Sequence, residues 1–185
     1  MNNGKSSKMS TKTLVQAGFL VAISIVLTRF VSIMVPLAGG LPALRVGFGE
    51  IPLMIGGLLF GPVVGGISGM IADLIGAWAF PQGPYFPGFT LSSILWGVLP
   101  GIYGFYLRRK GEKGNPFTYK KIFIIVSISI GIISIGMNTY WLSLMLGKGY
   151  MVFLPGRLLS AVVNIPLQSY IITLLIKQLR IAVEL

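Results

Sequence analysis

GEIPLMIGGLLFGPVVGGISGMIADLIGAWAF, residues 49–80, is apolar apart from Glu50, Ser68 and Asp73, and it is interrupted at Gly61-Pro62. A glycine followed by a proline ends one helix and starts another, because proline has no N–H to give and glycine reaches backbone angles that other residues avoid. The part before the break, about residues 49–60, is too short for the ~20 residues that a helix needs to cross hydrocarbon; the part after it, to about Phe80, is nearly long enough. Backbone groups at membrane depth must pair within a helix or be shielded by protein. The stretch therefore predicts a membrane bundle whose second helix is short, broken or tilted and lines a cavity.

Composition supports the same medium. Of 185 residues 54% are hydrophobic and 10% charged, whereas roughly a quarter of a soluble domain is charged. Further apolar segments run from about Thr11 to Val35, Phe89 to Leu107, Ile122 to Leu146 and Tyr150 to Ile176. The expected fold class is all-α: a polytopic membrane protein with six transmembrane helices. It forms one domain over 1–185, with 1–10 as a cytoplasmic tail. Lys5, Lys8 and Lys12 before an apolar run resemble a secretory signal. The run is longer than a signal core and carries Arg29, so it is expected to be a retained helix.

The net charge of +11 would suggest nucleic acid in a soluble chain. Its location says otherwise. With both termini cytoplasmic, Lys5, Lys8, Lys12, Arg108, Arg109, Lys110, Lys113, Lys120, Lys121, Lys177 and Arg180 fall inside, and only Arg45 and Lys148 lie in outer loops. Positive charge prefers the cytoplasmic side, so the excess reads as topology and anionic headgroups, with the lipid bilayer as partner and no nucleic acid.

The chain has no Cys and no His. That excludes thiolate metal sites and removes the commonest general base, so no metal, cofactor or enzymatic activity is expected. Charged side chains at membrane depth are costly and usually face a cavity or a partner. Arg29, Asp73, Asn138 and Arg157 come from four helices and, at ~1.5 Å per residue, share one layer about 5–12 Å below the outer surface. Singly, each could be structural polar glue; together they point to a cavity open to the outside.

Above that layer lies FPQGPYFPGFTLSS, residues 80–93. Connecting loops are normally short and polar. This one is stiffened by prolines and carries Phe80, Tyr85, Phe86 and Phe89, either as an interfacial belt or as the lid of a site for a flat ligand.

LTRF at the end of the first helix, LRVGFGEIPLMIGGLLFGPVVGGISGMIADLIG over the next two and YFPGFTLSSILWGVLPGIYG after them resemble the substrate-binding S components of energy-coupling factor vitamin transporters, of the folate type. The resemblance runs from Leu14 to about Lys177. It implies a subunit that binds folate or a related vitamin from outside, associates with a transmembrane coupling subunit and two cytoplasmic ATPases, and has no phosphate loop of its own. It also implies that Gly18 and Ala22 occupy the small-x-x-x-small position that docks on the coupling subunit; such pairs also serve packing within one bundle. For a pterin, Asp73 would accept from the amino-pyrimidine edge, Arg29, Arg157 or Asn138 would donate to the carbonyl, and Arg45 or Lys148 would meet the glutamyl tail. Phe48, Tyr85, Phe86 and Trp141 would sandwich the ring. An S component for another heterocycle, of pyrimidine type, is the alternative.

Overall fold

The computed structural model of the chain describes residues 11–37, 41–81, 83–110 and 117–183. Helix α1 (Thr11–Phe30) is followed by a hairpin of β1 (Ile33–Leu37) and β2 (Leu41–Val46), then α2 (Glu50–Phe60), α3 (Pro62–Ala79) and α4 (Pro87–Arg109). Next come α5 (Tyr119–Ser129), a π-helical segment (Ile130–Asn138) and α6 (Thr139–Leu146), which run on as one continuous rod, and last α7 (Tyr150–Val183). The rod Tyr119–Leu146, together with α1, α3, α4 and Tyr150–Gln178 of α7, gives five helices long and apolar enough to cross a membrane; Glu50–Phe60 is a shorter apolar helix. The chain is a multi-pass membrane protein.

The Gly61-Pro62 break forms as expected. Gly61 sits at φ 95°, ψ 174°, a region closed to side chains that carry a Cβ, and Pro62 opens α3. Helix α2 has 11 residues, and Ile51 through Leu58 are all buried. At ~1.5 Å per residue it spans about half of a bilayer core, so it survives only as the centre of the bundle, packed by α1, α3, α4 and α7. Its last carbonyls are finished from a distance: Nη1 of Arg108 donates to Leu58 O and Leu59 O, both at 2.9 Å.

Helices α2, α3 and α4 touch backbone to backbone. A Cβ on Gly57 or Gly65 would run into Gly97 O, and one on Gly69 into Ser93 O. Small residues permit this approach, which in lipid is a main source of helix association. Large apolar side chains, Phe19, Val63, Ile102, Phe105 and Val162 among them, remain exposed on the outside of the helices, as contact with lipid requires.

The outer segments depart from the all-α expectation. The first helix stops at Phe30 instead of Val35, and the chain after it forms a two-stranded antiparallel hairpin, with Ile33 opposite Val46 and Met34 opposite Arg45. The β-branched Val31, Ile33 and Val35, followed by Pro36, suit an extended chain better than a helix. The last helix runs to Val183, past the expected Ile176. The 1–10 tail lies outside the described residues.

Candidate functional site

The Gly47-Phe48-Gly49 link between hairpin and α2 is clamped from both sides. Gln168 Nε2 donates to Gly47 O at 2.9 Å, and Ser24 Oγ donates to Gly49 O at 2.7 Å. Gly49 packs so tightly on Thr28 that a Cβ there would overlap its hydroxyl. The link thereby fixes Glu50, the first residue of α2, at the floor of a cavity of about 270 Å³.

Arg29, Asp73, Asn138 and Arg157 all line this cavity, together with Glu50 and, at its mouth, Tyr85, Phe86 and Phe89. The shared layer of polar residues thus lines one cavity, built from α1, α3, the end of the π segment, α7 and α2. Arg29 fits because Gly76 has no side chain: a Cβ there would lie 2.9 Å from the guanidinium. Asp73 is oriented from α4, where Thr90 Oγ1 donates to Oδ2 at 2.7 Å. The Thr90 proton being so used, Tyr85 OH is left to donate to Thr90 Oγ1, at 2.8 Å. A loop aromatic, a helix hydroxyl and the carboxylate thus form one chain of hydrogen bonds.

Three residues expected at the ring or tail do not line the cavity. Phe48 packs against the core cluster. Trp141 stands behind two residues that do line the cavity: its ring lies 5.8 Å from that of Phe86, its Nε1 donates to Ser92 Oγ at 3.3 Å, and Gly88 leaves room for it. Lys148 is exposed in the turn before α7. Gly18 and Ala22 are exposed on α1, with nothing within 4 Å of where a Gly18 Cβ would stand. The side chain of Arg45 lies outside the described residues.

Glu50 is the residue that sequence reasoning passed over. It sits at the head of an apolar segment, where an acid reads as interfacial; because α2 is short and central, its first residue is deep. Its Oε2 is buried and has no hydrogen-bond partner among the described residues, and neither has Oδ1 of Asn138. The positive end of α2 favours its carboxylate. Glu50, Asn138 and Arg157 also border a second, polar hollow of about 30 Å³, shared with Asn164 and Gln168.

The arrangement offers two carboxylates, two guanidinium groups and an amide below aromatic rings. It suits an uncharged or amphoteric ring system rich in both donors and acceptors. Among the described residues no group of His, Cys, Asp or Glu could hold a metal ion.

A family model described as "ECF-type riboflavin transporter, S component" matches residues 8–180. The folate transporter FolT of Clostridium novyi (strain NT) is 34% identical over 159 residues, covering 86% of this chain and 84% of that protein. The folate transporter FolT of Leuconostoc mesenteroides subsp. mesenteroides is 24% identical over 166 residues, with 87% and 82% covered. A crystal structure of FolT bound with folic acid superimposes with a TM-score of 0.70 at 30% identity, covering 87% of this chain and 90% of that one.

Proposed function

The chain belongs to the S-component family of ECF-type vitamin transporters, a family of transport subunits and not of enzymes, and from that premise we propose that it captures folate from outside and delivers it inward with an ATP-driven coupling module. The observation that carries this reading is the convergence of Arg29, Asp73, Asn138 and Arg157, with Glu50, in one cavity under Tyr85 and Phe86. The amino-pyrimidine edge of a pterin presents paired donors to a carboxylate, Asp73 or Glu50. Its carbonyl takes a donor from Arg29, Arg157 or Asn138. At about 270 Å³ the cavity is just below the usual range of ligand pockets, so it takes the ring, and the anionic tail leaves through the aromatic mouth.

The whole chain acts as one domain that crosses the membrane six times, α2 making a buried half-length crossing, and both termini face the cytoplasm. The basic residues at the inner ends support that orientation. The partners are a transmembrane coupling subunit and two cytoplasmic ATPases. The exposure of Gly18 and Ala22 supports a docking role, because a pair that served packing inside this bundle would be covered. The hairpin and the 80–93 loop form the lid. Ligand should slow the motion of a spin label on Gly83→Cys, which lies at the cavity rim; unchanged mobility would reject the lid.

The description of the family model makes riboflavin the second reading, and a pyrimidine-type heterocycle the third. Titration calorimetry of the detergent-purified chain with folic acid, riboflavin and thiamine decides among them. Tight binding of folic acid with no heat from the other two is the expected result, and preference for riboflavin would overturn it.

A further inference from the structure

The rod Tyr119–Leu146 contains nine residues, Ile130–Asn138, wound as a π-helix. Such segments are rare, and where they occur they are frequently at functional sites. A hydroxyl marks the wide turn. Thr139 Oγ1 donates to Ser134 O, five residues back, at 3.2 Å, whereas Ser127, Ser169 and Thr173 bond to carbonyls four residues back.

The winding decides which side chains reach the cavity. Before and into the segment, the buried face is Ile122, Ile125, Val126, Ser129, Ile130 and Ile133. From its last residue onward, Asn138, Leu142 and Met145 line the cavity, while Tyr140 and Leu144 are exposed. At ~100° per residue, an uninterrupted α-helix would centre the cavity set about 155° from the buried face, almost on the opposite side. It would also bring Tyr140 and Leu144 within about 40° of the core direction. A π-helix turns only about 82° per residue, so nine residues fall behind by roughly 160°. That lag restores both faces together.

We infer that the π segment is the positioning device of the binding site: it rotates α6 so that Asn138, Leu142 and Met145 form a cavity wall, and Tyr150 holds it in that winding. Tyr150, at the start of α7, donates its hydroxyl to Ile135 O at 2.8 Å inside the segment, and it does not line the cavity. Gly131 and Gly136 loosen the same stretch. A Cβ on Gly131 would meet nothing within 4 Å, and one on Gly136 only an ordinary 3.5 Å contact. Their lack of a side chain is therefore not required by packing. Its effect is to weaken the competing α-helix, in which glycine is disfavoured relative to alanine.

The test uses the full chain, which has no cysteine of its own. In vesicles without ligand, Leu142→Cys should react with a membrane-impermeant maleimide through the cavity, and Tyr140→Cys, facing lipid, should not. The triple variant Gly131→Ala, Gly136→Ala, Tyr150→Phe should lose that contrast. Its affinity for folic acid should fall at least fivefold, with the melting temperature of the unliganded protein retained. The contrast and the affinity both unchanged in the triple variant would overturn the proposal, as would a reversed contrast in the parent chain. The affinity arm rests on the folate reading; the labelling arm does not. A parent chain that shows the contrast and ignores folic acid would sink the ligand and leave the positioning role standing.

Discussion

Thr90 on α4 donates its hydroxyl proton to Oδ2 of Asp73 on α3 at 2.7 Å, and the lone pair it keeps takes the phenol of Tyr85 from the outer loop. The loop is thereby wired to the carboxylate beneath it. Hydrogen bonds to charged groups contribute roughly 1.5–3 kcal/mol each. Asp73→Ala and Arg29→Ala should each weaken folate binding by about 1.5 kcal/mol or more, around tenfold. Thr90→Val should do so to a smaller degree by freeing the carboxylate to turn. Calorimetry showing parental affinity in both alanine variants would leave these residues as structural polar glue.

Glu50→Gln separates stability from recognition. The buried Oε2 has no hydrogen-bond partner among the described residues, so an isosteric amide removes a desolvation cost while giving up the attraction of the charge to the start of α2. The two effects oppose each other, and the unliganded variant should melt close to the parental temperature. If Glu50 meets donors of the ligand, affinity should nevertheless fall about tenfold or more. A stable variant with parental affinity would remove Glu50 from the contact set.

Gly18→Trp and Ala22→Trp address the docking face. Both positions are open in the isolated chain, so folate binding by the solitary subunit should persist. ATP-driven uptake after reconstitution with the coupling module should be abolished, because close helix approach needs small residues. Loss of binding as well as uptake would assign the pair to this bundle's own packing.

Gly57→Ala and Gly18→Ala form a matched pair on stability. The first places a methyl group against Gly97 O in the seam of α2, α3 and α4, while the second adds one to open space. The Gly57 variant should lose several kcal/mol of stability, or fail to fold, because the obstacle is backbone and cannot rotate away. The Gly18 variant should be within about 0.5 kcal/mol of the parent. Thermal melts in detergent compare them directly.

The parts of this fold written in chemical type were legible in the sequence. Gly61-Pro62 announced the break because few backbone geometries accept that pair. Arg29, Asp73, Asn138 and Arg157 announced the cavity because lipid penalises them everywhere else. What was written only in phase was not. The π segment IGIISIGMN is apolar apart from Ser134 and Asn138, so its rotation leaves little trace in a hydropathy pattern, and Trp141 just beyond it became a candidate for a lining that it does not join. Glu50 was misjudged for a related reason. Depth was counted from the ends of full crossings, and α2 is not one.

The bonds from Arg108 to the carbonyls of Leu58 and Leu59 span 50 and 49 positions of chain, and during biosynthesis that distance becomes time. When α2 emerges from the ribosome it is too short to settle across the bilayer alone, and neither the residue that finishes its carbonyl end nor the α4 glycines that admit it have yet been made. Its final seat is therefore reached late, when α4 arrives to close over it. A nascent chain arrested before Arg108 should hold α2 exposed to added protease or crosslinker, and one released beyond it should not.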